Sequence, residues 1–163
     1  MPFTLFHLGP SLLLGLLLFE YINFPTFIIA NVIADVEPLT VLLFGLDYPL
    51  HGLAHSFVGG SVIAVALSLI MFIADGRIQG VMSFFRLGQR HSKRSIVLAA
   101  FLGVYLHVIL DSLLGYADMK PLFPLSVNPF YNPLFAWLTP YFCIVSFILG
   151  LGLYVHRVMV PPR

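Results

Sequence analysis

The sequence predicts an all-α, polytopic membrane protein of about five transmembrane helices, the second of them broken, in a single domain over residues 1–163. Two observations predict this. The chain is 60% hydrophobic and only 9% charged, with a mean hydropathy of +0.99, whereas roughly a quarter of the residues of a soluble domain are charged. Its apolar residues also gather into five stretches close to the about 20 residues that cross a hydrocarbon core. Lipid must therefore cover most of the surface. The net charge of +1 gives no sign of a nucleic-acid partner, and the single cysteine, Cys143, excludes an intramolecular disulfide. The start, Met-Pro-Phe-Thr-Leu-Phe-His, has no positively charged n-region, so no cleaved secretory leader is expected.

Taken in order, the first span runs from about Phe3 to Ile22 and the second from about Phe24 to Leu46. Asp35, Glu37 and Pro38 interrupt the second. Pro38 lacks a backbone donor and disfavours helical geometry at Glu37, which predicts a break or kink there. The third span runs from about Pro49 to Ala74, the fourth from about Ser95 to Tyr116, and the fifth from about Pro133 to Arg157, with a kink expected at Pro140. Small residues at Gly59-Gly60-Ser61 and at Ser146 and Gly150 suit close helix approach. Residues 75–94 mix Arg77, Arg86, Arg90, Lys93 and Arg94 with apolar side chains and read as a basic amphipathic segment on a membrane surface. Residues 117–132 form a proline-rich loop.

Positive charge favours the cytoplasmic side. With the 75–94 connection inside, seven cationic residues are cytoplasmic, counting Arg157 and Arg163, and only Lys120 is outside. The chain is thus expected to be integral to the cell membrane, with its N-terminus outside and its C-terminus in the cytoplasm.

Ionisable side chains are costly inside a bilayer, about 2.5–3.5 kcal/mol each near a helix centre, and mark function by default. Seven lie in or beside the spans: His7, Asp35, Glu37, His51, His55, His107 and Asp111. At about 1.5 Å per helical residue, all seven fall in the outer half of the expected topology. His51 and His55 are four apart, as are His107 and Asp111, so each pair is expected to share a helix face. Histidines and carboxylates in this number suit zinc, with manganese or iron as alternatives, and one or two ions. His7, Asp35, His55, His107 and Asp111 are the expected ligands. Glu37 and His51 are expected as further ligands or as acid–base groups.

The plainer readings are an interfacial His7, a helix-capping His51 and a structural hydrogen bond between His107 and Asp111. His91 and His156 read as surface residues, Asp47 and Asp75 as loop residues or caps, and Glu20 as a solvated end of the first span. Ser56, Ser112 and Asn31 are candidates to support the ligands from behind, and the role of Asp118 is open.

The same positions resemble the membrane-bound metal-dependent hydrolase family, the YdjM-like inner-membrane hydrolases. The resemblance is carried by Phe6-His7-Leu8-Gly9, Ala34-Asp35-Val36-Glu37-Pro38, His51-Gly52-Leu53-Ala54-His55-Ser56, His107-Val108-Ile109-Leu110-Asp111 and the loop at Pro121-Leu122-Phe123-Pro124, in the family's order. Glu37 stands where the family has a second aspartate, the proline before Asp35 is absent, and the His51–His55 interval is one residue short and lacks an arginine. The resemblance implies hydrolysis by a metal-activated water. A site in the outer leaflet suggests a membrane lipid or lipid-linked substrate with an ester or phosphoester bond. The alternatives are a metal-ion or proton transporter using the same cluster, and a non-catalytic membrane partner with a structural metal. The oligomeric state is left open.

Overall fold

The structure, a computed structural model, describes residues 4–160, with side chains from Phe6 onward, so Phe3 and Arg163 lie outside the described residues. The described chain is helical throughout its ordered elements: α1 (Thr4–Leu17), α2 (Phe24–Val32), a 3₁₀ turn (Ile33–Asp35), α3 (Val36–Phe44), a second 3₁₀ turn (Leu53–His55), α4 (Phe57–Phe84), α5 (Lys93–Leu114) and α6 (Pro133–Met159). Four stretches are long and apolar enough to cross a membrane: Phe24–Phe44, Phe57–Phe84, Lys93–Leu114 and Pro133–Met159. A shorter apolar helix, α1, precedes them.

Three local expectations need correction. The second span is broken, but at Ile33–Asp35 rather than at Pro38. Pro38 is the third residue of α3, where a missing N–H costs no helical bond. A proline ring crowds the carbonyl four residues back, here that of Ala34, and the 3₁₀ winding falls on that residue. His51 and His55 do not share a helix face. The fourth helix begins only after Ser56, whose hydroxyl caps it by accepting from the Gly59 N–H at 3.0 Å. Finally, residues 75–84 are not a separate surface segment, because α4 runs unbroken to Phe84.

The fifth helix is the hub. It packs on α2 and α4, while α1 packs on α6 and α2. Its buried residues include Ala99, Ala100, Gly103, Val104, His107, Val108 and Asp111, a stripe at three- and four-residue spacing that faces its neighbours. Gly103 lets α2 come close: a Cβ there would sit 2.6 Å from the Cβ of Ala30 and 2.7 Å from the carbonyl oxygen of Phe27. Asn31 fastens the same contact, donating from its amide to the Gly103 carbonyl at 3.1 Å.

The two ends of the bundle differ. One gathers the α1–α2 and α4–α5 connections and the end of α6. There Gln89 donates to the carbonyls of Phe19 and Ile22 and accepts from the Phe24 N–H. Asn23 and Gln79 both donate to Asp75 at 3.0 Å, so Asp75 belongs to α4 and ties it to α2 rather than sitting in a loop. His91, expected at the surface, is half-buried with its Nε2 3.1 Å from the Phe19 carbonyl. Glu20 is exposed, as expected, with Arg157 at 3.9 Å. The opposite end holds the starts of α1, α4 and α6 and the end of α5, and there the Phe57 N–H meets the Pro121 carbonyl.

Candidate metal centre

Four of the expected ligands converge at that second end. Asp35, His55, His107 and Asp111 each offer one ligand atom, and these atoms all lie within 4.8 Å of one another. They come from four pieces of local structure: the 3₁₀ turn in the second span, the 3₁₀ turn before α4, and two successive turns of α5. The cluster could hold a metal ion. His107 and Asp111 share one face of α5, as their spacing requires, and Nε2 of His107 lies 3.2 Å from Oδ2 of Asp111. Nε2 of His55 lies 3.6 Å from the same oxygen and 3.9 Å from Oδ1 of Asp35, which is itself 3.7 Å from Nε2 of His107.

The back of each histidine is held by a hydrogen-bond acceptor. Nδ1 of His107 donates to the Asn31 carbonyl at 2.7 Å. A helical carbonyl ordinarily serves the N–H four residues on, here that of Asp35. The 3₁₀ turn at Ile33–Asp35 winds toward three-residue pairing instead, and the Asn31 oxygen serves the ligand histidine. Nδ1 of His55 is 2.9 Å from Oε2 of Glu37. Glu37 also accepts the N–H groups of Gly52 and Ala54 at 3.0 and 3.2 Å, so one carboxylate orients the ring and shapes the loop that carries it. Partners behind the ring of this kind fix the tautomer of metal-binding histidines.

With Nδ1 committed, Nε2 of His55 and of His107 face inward. Neither makes a hydrogen bond among the described residues, and neither do the two carboxylate oxygens of Asp111, although all four atoms are buried. Buried polar groups are hydrogen-bonded as a rule. Orphaned nitrogens and oxygens that point at one another across less than 4 Å are the arrangement a shared cation would satisfy.

His7 sits on the flank. It is 2% exposed, its ring stacks on that of His107 at 4.2 Å between centroids, and its Nε2 is 3.2 Å from Oδ1 of Asp111. It therefore meets the oxygen of Asp111 that faces away from His55 and His107, and it lies outside the set of four. His51 lies on the other flank, its ring edge-on to His55 with centroids 5.0 Å apart and stacked on Tyr116 at 4.1 Å. Asp118 accepts from both the backbone N–H and Nδ1 of His51, each at 2.9 Å. Partial burial pushes the Asp118 carboxyl up, but these bonds from His51 outweigh it and hold the group below the usual aspartate range.

The four clustered residues and both flanking histidines are all among the ionisable side chains that the sequence places in or beside its apolar stretches. Asp118 carries no such signal, because loop geometry alone brings it to His51. Ser56 and Ser112, expected behind the ligands, spend their hydroxyls on the Leu53 and Val108 carbonyls. Asn31 does support the site, through its main chain. No protein-family model, curated protein or solved structure matches the chain.

Proposed function

We propose that the protein is a membrane-embedded, metal-dependent hydrolase acting on an ester or phosphoester of a lipid or lipid-linked substrate. The observation that carries this reading is the inward-facing set of unsatisfied ligand atoms on His55, His107 and Asp111, each histidine backed by an acceptor. Two imidazoles and two carboxylates suit zinc, and also manganese or iron. A divalent ion held there supplies a Lewis acid that activates water and polarises the scissile bond.

The residues around the cluster divide the remaining work. Asp35, His55, His107 and Asp111 hold the ion, and His7 braces the far oxygen of Asp111. Glu37 keeps Nε2 of His55 turned inward. His51, fixed by Asp118 through Nδ1, is the group we assign to proton transfer. In hydrolysis the water oxygen bonds to the acyl carbon or phosphorus and loses a proton, the ester bond breaks, and the departing alcohol oxygen gains one. The order of the motifs, with its resemblance to the membrane-bound metal-dependent hydrolases, supports the same chemistry.

The positive-inside bias supports placing the basic end, with Arg86, Arg90, Lys93 and Arg94, in the cytoplasm and the centre in the outer leaflet. A transporter would need a polar route across the bundle. Below the cluster the buried side chains are mostly apolar, among them Phe27, Ala30, Ala64, Leu67, Met71 and Ala100, and the neutral hydroxyls of Ser11, Thr26 and Ser68 bond locally to His7, Asn23 and Ala64, which favours an enzyme.

The test is hydrolysis by purified protein in lipid nanodiscs, using fluorogenic phospholipid esters and phosphoesters, before and after chelation and with zinc or manganese restored. Cleavage that disappears on chelation, returns with metal and is absent from His107→Ala supports the proposal. Metal binding without cleavage of either bond class would refute it.

A further inference from the structure

A cavity of about 200 Å³ lies against the flank of the centre, between α1, α5 and α6. The first helix contributes Phe6 and His7, the fifth Leu110 and Leu114, and the sixth Thr139 and Cys143. Its walls are mostly apolar; the polar groups on them are His7 and the Tyr116 phenol, while the Thr139 hydroxyl already donates to the Phe135 carbonyl at 2.7 Å. His7 is buried, and neither ring nitrogen has a hydrogen-bond partner among the described residues. This histidine also touches Asp111, so the cavity and the cluster share a wall. At its far side Tyr116 lines the cavity and stacks on His51, which brings the space to both flanks of the centre.

We infer that this cavity is the subsite for one acyl chain of the substrate, seated so that the first polar group of that chain reaches His7 and the metal centre. The inference rests on the hydrolase reading and narrows its substrate to a lipid cut next to a hydrocarbon chain. Two features of the space favour a hydrocarbon chain over a polar headgroup. An apolar cavity of about 150 Å³ stays dry and takes up benzene, so the present volume suits a segment somewhat longer than six carbons. Close in sequence to the α6 residues that line the cavity, Phe135, Leu138 and Phe142 are exposed and apolar, which suits sideways entry of a chain from lipid.

The test is photolabelling of the metal-loaded protein in nanodiscs by a phospholipid with a diazirine near the carboxyl end of one chain, with attachment sites read by mass spectrometry. Labelling is expected at Leu110, Leu114 and Cys143, above that at Phe135, which faces lipid. Filling the cavity with Thr139→Trp, or more mildly with Leu114→Phe, should cut labelling at the unaltered cavity positions by about tenfold, the effect of losing about two buried methylenes, while Phe135 labels as before. Cavity labelling no stronger than at Phe135, or unchanged in both variants, overturns the inference. Metal content is measured on the same samples. Protein that labels as expected but binds no metal keeps the subsite and sinks the hydrolase reading, so the two failures are distinguishable.

Discussion

A carboxylate behind a ligand histidine decides which ring nitrogen carries the proton, and Glu37 has that position. Its two oxygens also hold the loop at Gly52 and Ala54. Glu37→Gln keeps the shape but weakens the bond to His55. Metal affinity should fall about 10–100-fold without vanishing, the usual cost of losing such a partner, as read by competition with a fluorescent chelator. Asp118 acts one step further out. Its carboxyl is depressed by the bonds from His51, so the clamp is complete above about pH 4, the ordinary aspartate value, and is lost as pH falls through the lower, folded value. Hydrogen exchange at the His51 N–H should therefore stay slow, relative to an unstructured chain, down to about pH 4. It should become fast at every pH in Asp118→Ala. Equal protection in the two proteins would remove Asp118 from the account.

At the scale of elements, the centre depends on how closely α2 and α5 approach. Asn31, which receives the His107 ring, sits directly across from Gly103. Gly103→Leu adds a side chain where even a Cβ would overlap Ala30 and the Phe27 carbonyl. Overpacking of this kind costs about 1–3 kcal/mol, visible as a lower unfolding temperature in detergent. It should also reduce metal occupancy, although Gly103 is not itself one of the four clustered residues. A variant that melts early yet binds metal normally would show that the α2–α5 spacing does not set the site. The same elements show what the sequence reveals and where it stops. His107 and Asp111 are legible because α5 is a regular helix, so four-residue spacing translates directly into a shared face. His51 and His55 have the same spacing, but Ser56 starts α4 after them, and Glu37 and Asp118 turn the two rings toward different carboxylates. The break near Asp35 follows from Pro38, yet its position depends on which carbonyl the ring crowds. The main-chain oxygen of Asn31 is invisible to any reading of side chains.

For the whole molecule, the cluster and most of the basic residues lie at opposite ends of the bundle. Arg86, Arg90, Lys93, Arg94 and Arg157 collect where α4 ends and α5 begins, and Lys120 alone among the described cations is in the loop beside the centre. Single cysteines at Asp47 and Arg90, placed in a Cys143→Ser background, should react with a membrane-impermeant maleimide from opposite sides of intact cells. Asp47 should label from outside. Labelling of both from one side would contradict the proposed orientation.

The central claim is that Asp35, His55, His107 and Asp111 close around one divalent ion, and metal content tests it most directly. Detergent-purified protein, stripped with chelator and dialysed against zinc, manganese or iron(II), should retain close to one equivalent of at least one of them. His107→Ala and Asp111→Ala should retain almost none, while exposed-site controls such as His156→Ala bind like wild type. Metal binding should also raise the unfolding temperature, since about 100 times Kd of free ion contributes about 2.7 kcal/mol. Wild-type protein that holds no more metal than the two ligand variants, with no thermal shift in any of the three ions, would contradict the account.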